Sequence, residues 1–369
     1  MRVAFRADAS LQIGTGHVMR CLTLAEALRE CGADCRFICR NHPGNLISEI
    51  EQRGFDVSVL PYDGKLTGTD TTQPIHAAWL GEGWETDAEQ TKVGASETAV
   101  DWLIVDHYAL DVRWERALAP HYRKLMVIDD LADRPHACDL LLDQTFGRNA
   151  ADYHPLVPAD CHLLCGSQYA LLRPEFATLR AYSLQRRAQP VLRALLITLG
   201  GVDKDNATGQ VLQALRTCPL PADCRITVIM GAKAPWLDEV RKQAQDMTWP
   251  TRVLVGVSHM AQLMANSDLA IGAAGATSWE RCCLGVPTIL LSLAENQRKI
   301  ADALSKAGAA HVFDASNLKR QPLIAPEYFG RLSLSGMSQA AAAITDGFGA
   351  ARVAQTLINK VKHANQLTV

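Results

Sequence analysis

The chain has 369 residues, too many for one ordinary core, so two domains are expected. Hydrophobic residues make up 48% and charged residues 21%, a globular balance. The formal net charge of −2 leaves no basic field for nucleic acid or an anionic membrane, so an acidic ligand has to be held by local geometry.

The 11 cysteines are an odd count, and Cys21, Cys39, Cys165, Cys282 and Cys283 sit inside apolar runs, where buried free thiols are the expected state. No CxxC pair occurs, and neither a metal nor a cofactor is expected. The opening MRVAFRAD reads as a first strand and not as a signal peptide, and no run reaches the ~18 apolar residues of a membrane span. A cytoplasmic monomer with a small-molecule ligand is the expectation.

Short apolar runs alternate with helical patterns, the signature of parallel sheets flanked by helices. In chain order the runs are Val3–Phe5, Cys35–Cys39, Val57–Leu60, Trp102–Val105, Leu125–Ile128 and Leu140–Leu142, then Ala194–Leu199, Ile226–Met230, Val253–Val257, Leu269–Ile271 and Thr288–Leu291. The polar stretch LQRRAQ at Leu184–Gln189 is taken as the break. This predicts a first Rossmann-like domain over 1–186 and a second over 187–369, with the last helix free to pack back on the first. In such a layout ligands gather at the carboxyl ends of the strands.

The first run ends in Arg6-Ala7-Asp8 and leads through ASLQIGTGH into a helix with Val18, Leu22, Ala25 and Leu28 at helical spacing. Gly14 and Gly16 allow close approach of a ligand to the backbone. His17 falls in the first turn of that helix, where the dipole disfavours imidazolium and a neutral ring can take a proton from water. Asp8 is a candidate to orient that ring or to bind sugar hydroxyls. The bland alternative, that His17 only caps the helix, is weakened by the glycine-rich loop before it. The segment Asp63–Val93 reads as loops around a short helix, long for a plain connection. Further strand ends carry Asp106-His107-Tyr108, Asp129-Asp130 and Asp143-Gln144, which can line a rim or cap helices.

In the second half, Gly200-Gly201 and then a helix suit a phosphate at a helix N-terminus, with Asn206 as its cap or as a phosphate contact. A stronger signal is IGAAGATSWERCCLGVP, residues 271–287. There Gly275, Ala276 and Thr277 offer N–H groups to a pyrophosphate, and Glu280, one turn into the helix, offers two oxygens to a ribose diol. Asn296 and Gln297 open the next helix toward the same site. Met260, after another strand, is placed to pack on a uracil.

GAAGATSWE with the following ENQ resembles the GT-B architecture and the C-terminal half of the peptidoglycan N-acetylglucosaminyltransferase. RADASLQIGTGHVMRCLTLAEAL, VDHYALDVRWE, VIDDLADRPHACDLLLDQ and YALLRPEF resemble the UDP-2,4-diacetamido-2,4,6-trideoxy-β-L-altropyranose hydrolases of pseudaminic acid biosynthesis, from residue 1 to about 350. The resemblance implies an α/β fold of two Rossmann-like domains facing a cleft. It also implies hydrolysis of that UDP-sugar to UDP and the free sugar, with His17 as general base and Arg173, Glu280 and Asn296 on the substrate. Three alternatives stand beside it: a GT-B glycosyltransferase serving an acceptor alcohol, a hydrolysing epimerase of UDP-N-acetylhexosamines, and a non-catalytic UDP-sugar binder that needs Glu280 but not His17.

Overall fold

A computed structural model describes residues 1–64, 74–94, 99–189, 191–293, 297–317, 323 and 334–366. The chain divides into two units, Met1–Leu171 with Phe348–Val369, and Leu172–Gly347.

The first unit is built on a seven-stranded parallel sheet of β1 (Arg2–Ala7), β2 (Asp34–Arg40), β3 (Asp56–Leu60), β4 (Val100–Asp106), β5 (Tyr122–Ile128), β6 (Leu140–Asp143) and β7 (His162–Cys165). Its order is β3-β2-β1-β4-β5-β6-β7. Helices α1 (Gly16–Glu30), α2 (Ile47–Gln52), α3 (Trp84–Gly94) and α4 (Val112–Ala117) connect the strands. The apolar stripe of α1, with Val18, Leu22, Ala25 and Leu28, is buried against one sheet face together with Val353 and Leu357 of the C-terminal helix Gly349–Gln366. Trp102 Nε1 of β4 donates to Leu357 O at 3.3 Å, tying that last helix to this unit. Trp114, Tyr153 and Leu80 fill the core on the other face.

The second unit holds a six-stranded parallel sheet of β8 (Ala194–Thr198), β9 (Arg225–Met230), β10 (Thr251–Val255), β11 (Leu269–Ala273), β12 (Thr288–Ser292) and β13 (Ala310–Asp314), in the order β10-β9-β8-β11-β12-β13. Its helices include α5 (Pro174–Arg186), α6 (Ala207–Leu215), α7 (Leu237–Gln245), α8 (Met260–Ala265), α9 (Thr277–Cys283) and α10 (Arg298–Lys306).

The units divide at Leu171/Leu172, not at 186/187. The polar stretch taken for a linker is the end of α5, and its polarity serves buried carbonyls. Arg187 is 5% exposed and donates to Ser183 O at 2.8 Å and Met264 O at 3.0 Å. Ser183 Oγ donates to Leu284 O at 2.6 Å, so α5 is fastened to the second unit.

The strand order of each sheet reverses at one place, between β1 and β4 in the first unit and between β8 and β11 in the second. In open parallel sheets the crevice outside the carboxyl ends at this switch point is where ligands bind. His17 and Asp106 stand at the first of these places, and Gly200, Gly201 and Gly275–Thr277 follow the two strands of the second.

Candidate active site

In the first unit, the loop after β1 is shaped by Ser10, whose Oγ accepts from Gln12 N at 3.1 Å and Ile13 N at 2.9 Å. Gly14 turns the chain with a φ of +81°, and open space lies beside both Gly14 and Gly16 where a side chain would stand. His17 is thus delivered as the second residue of α1. Across the switch point the parallel register sets Asp106, the last residue of β4, opposite Ala7. His17 Nδ1 lies 2.5 Å from Asp106 Oδ1. An ionised carboxylate only accepts, so Nδ1 carries a proton, and in the neutral ring the free lone pair is therefore on Nε2.

One turn along the same helix face, Arg20 forks onto Asp106, with Nε 2.6 Å from Oδ2 and Nη2 2.7 Å from Oδ1. Burial alone would raise the Asp106 pKa, but Arg20 first and then His17 hold it well below the usual carboxylate range. Arg20 Nη1 also donates to Asp130 Oδ2 at 3.1 Å, and the Tyr108 hydroxyl donates to Asp130 Oδ1. The Tyr108 ring meets His17 edge-on, with centroids 4.5 Å apart. The ring of His17 is therefore held by Asp106 and by the edge of Tyr108, and its side chain is 9% exposed.

The expected role of Asp8 needs correction. Asp8 is fully buried and neither orients His17 nor faces a ligand. Its Oδ1 accepts from Arg40 N at 2.7 Å and pairs with Arg6 Nη1 at 2.7 Å. Its Oδ2 lies 3.5 Å from His42 Nε2 and 3.3 Å from His107 Nε2. Asp87 of α3 completes this buried set through Arg6, Arg40 and Trp114 Nε1. Asp8 thus braces the strand ends beneath the His17 loop.

In the second unit, the two glycine-rich turns differ. After β8, Gly200 has a φ of +104°, and Gly200 and Gly201 both border open space. The N-terminus of α6 beyond them is already filled. Ala207 N and Thr208 N donate to the Asp203 carboxylate at 2.8 and 2.9 Å, and Gly209 N donates to Asn206 Oδ1 at 3.0 Å. A phosphate there would displace one anion by another, so α6 is not the expected phosphate site, and Asn206 acts as a cap.

The N-terminus of α9 carries no side-chain cap, and open space borders Gly275. Beneath this turn lies the buried guanidinium of Arg281, which donates to Ala273 O at 2.8 Å, Ser278 Oγ at 3.0 Å and Thr277 Oγ1 at 3.2 Å. Gly272 makes room for it, since a Cβ there would stand 2.5 Å from Arg281 Nη1. Burial lowers the Arg281 pKa to about 10, which leaves it a cation at neutral pH under Gly275, Ala276 and Thr277. Glu280, half-buried on the same helix, has its carboxyl pushed up to about 7 by burial, against the pull of Arg173 and then Arg281. Arg173, at the N-cap of α5, pairs with Glu175 at 2.9 Å. The structure therefore brings Arg173 and Glu280 into one electrostatic neighbourhood.

Met260 is half-buried as the first residue of α8. Gln297 occupies the N-cap position of α10 without a side-chain bond to the helix, and its Oε1 accepts from Leu293 N at 3.2 Å. Asn296 lies outside the described residues. Among the described residues, no group of three or more His, Cys, Asp or Glu is placed to hold a metal ion. Among them, too, no helix is long and apolar enough to cross a membrane.

Sequence reasoning missed Arg20 and the choice of Asp106 among the strand-end acids. The three-residue step from His17 to Arg20, which puts both on one helix face, was the available signal.

Two doubly wound parallel units in one chain define a GT-B-type protein of two Rossmann-like domains. Solved structures agree in fold. MurG of Acinetobacter baumannii aligns at a TM-score of 0.66 and 15% identity, over 97% of this chain and 99% of that one. The UDP-GlcNAc 2-epimerase of Neisseria meningitidis bound to UDP-GlcNAc aligns at 0.58 and 12% identity, over 97% of this chain and 100% of that one. Residues 194–348 match the glycosyltransferase family 28 C-terminal domain. The sequence is similar to the UDP-2,4-diacetamido-2,4,6-trideoxy-β-L-altropyranose hydrolase of Campylobacter jejuni, 28% identical over 84% of this chain and 97% of that protein.

Proposed function

We propose that this protein hydrolyses UDP-2,4-diacetamido-2,4,6-trideoxy-β-L-altropyranose to UDP and the free 2,4-diacetamido-2,4,6-trideoxy sugar. The similarity to the Campylobacter jejuni hydrolase, along nearly its whole length, supports the substrate. The observation that carries the mechanism is the His17–Asp106 contact of 2.5 Å at the switch point of the first sheet.

His17 Nε2 takes a proton from a water whose oxygen attacks the anomeric carbon. The bond from that carbon to the β-phosphate oxygen breaks, and its electron pair leaves with UDP. Asp106 holds the tautomer and stabilises the imidazolium, and Arg20 holds Asp106. The second unit binds UDP. The uncapped turn Gly275–Thr277 above Arg281 meets the charge that develops on the diphosphate, and Glu280 accepts from the ribose hydroxyls. Gly200 and Gly201 border the diphosphate, Gln297 stands at the α10 side, and Met260 packs on the base. UDP is a good leaving group, so a strong general acid is not required.

The family 28 match keeps a glycosyltransferase as the second reading, in which the same base serves an acceptor alcohol. Turnover of the His17→Gln variant tests the reading. A fall in UDP release on the order of 10²–10⁴, with UDP affinity retained, is the expected outcome. Unchanged turnover would remove His17 from the mechanism.

A further inference from the structure

The carboxyl ends of β1, β2 and β3 enclose a cavity of about 270 Å³ that no step above uses. Ser10, Gln12, His42, Pro43, Tyr62 and Trp79 line it. It is a built wall and not a gap between loose loops. The short helical turn Ala77–Leu80 is seated by Gly81, whose φ is +75°. A Cβ at Gly81 would lie 2.7 Å from the Tyr62 ring and 2.9 Å from His42.

Trp79 belongs both to this cavity and to a continuous set of rings that ends at His17. Trp79 stacks tilted on His76 at 4.3 Å, His76 and Trp79 meet Tyr108 at 5.5 and 5.8 Å, and Tyr108 meets His17 at 4.5 Å. Through Tyr108, the Trp79 ring lies within about 10 Å of the His17 ring. That separation fits opposite ends of one N-acetylated pyranose, with the anomeric carbon at His17.

The lining has a chemical preference. Among the described residues it contains no Lys, Arg, Asp or Glu. It offers aromatic and proline faces together with an amide and a hydroxyl, which suit a neutral amide with a methyl group. Burial lowers the pKa of His76, which stacks on Trp79, against the pull of Asp133 and with help from Arg134 and His17.

We propose that this cavity receives the 4-acetamido group of the sugar, and that Trp79 and Tyr62 are its specificity-determining walls. The inference rests on the hydrolase reading above. The group on C2 is adjacent to the reacting carbon and stays near His17. The group on C4 lies across the ring and is the one that reaches Trp79.

The test compares two UDP-sugars, the 2,4-diacetamido substrate and its analogue with a free 4-amino group, on wild type, Trp79→Ala, Trp79→Phe and Tyr62→Ala. Contacts equal in ground and transition states move KM and leave kcat. Trp79→Ala is expected to raise KM for the diacetamido substrate 10- to 100-fold, with kcat within threefold and UDP affinity unchanged. The analogue should lose little, so the preference for the acetylated substrate collapses. Trp79→Phe should keep most of that preference. Tyr62→Ala, at a residue of the same lining that is 38% exposed, should lose it and serves if Trp79→Ala does not fold. An unchanged preference in both alanine variants would overturn the inference while leaving the hydrolase reading intact. No UDP release by wild type from either sugar would instead overturn the hydrolase reading, and the inference with it.

Discussion

Asp106→Asn isolates the device that makes His17 a base. When Nε2 takes the proton of water, an imidazolium forms beside the Asp106 carboxylate, which already touches Nδ1 at 2.5 Å. For charges about 4 Å apart at an effective dielectric near 20, that attraction is about 4 kcal/mol. Arg20 cancels part of it, because it shares the carboxylate and its Nη2 lies 3.4 Å from Nδ1. A net loss of about 3 kcal/mol remains, or roughly a hundredfold in kcat. An amide at this position can also present N–H to Nδ1, which moves the ring proton to Nε2 and blocks the base outright. Arg20 keeps Asp130 at 3.1 Å, so the fold is expected to survive. The assay is steady-state UDP release, with UDP affinity and a thermal melt as controls. A kcat within threefold of wild type, at unchanged UDP affinity, would refute the assignment of Asp106.

Glu280 should make UDP binding pH-dependent. As pH falls through about 7 its carboxylate takes up a proton and loses an acceptor for the ribose, so affinity should weaken between pH 8 and pH 6 more steeply in wild type than in Glu280→Gln, where only the titration of the terminal phosphate of UDP remains, as read by calorimetry. The same group acts on stability in the opposite direction. Its folded pKa is raised above the ordinary 4.5, so the folded protein binds more protons in that interval and stability falls as pH rises through it. Glu280→Gln should therefore raise Tm at pH 8 and change it little at pH 4.5. Asp203→Ala should cost about 1 kcal/mol of stability through loss of the α6 cap and leave UDP affinity within twofold. A tenfold loss of UDP affinity in that variant would put the phosphate at α6 after all.

The parallel architecture was legible because buried strands in such sheets are continuous apolar runs, and all eleven predicted runs lie in or overlap strands of the two sheets. The missed strands β7 and β13 are edge strands with short or diluted apolar signals, HLLC and AHVFD. The domain break was misplaced because a polar stretch looks the same whether it meets solvent or, as with Arg187, buried carbonyls.

His17 was legible from the loop that precedes it. Its partner was not, since Asp8, Asp106 and Asp130 all stand at strand ends and only the β1–β4 register decides which one meets the ring. Asp203 and Arg281 show the same limit in the second unit. One closes a helix end that the glycines advertise, and the other sits hidden beneath the turn that stays open. The aromatic set around Trp79 was illegible because Trp79 and Tyr108 are far apart in sequence and meet only in the folded unit.

The central claim is that water is the acceptor at the anomeric carbon. Hydrolysis of the 2,4-diacetamido UDP-sugar in ¹⁸O-labelled water, with no acceptor alcohol present, tests it most directly. Rapid UDP release with the label in the anomeric hydroxyl of the free sugar is the expected result. Label in the UDP phosphate, or tight UDP binding without release, would contradict it.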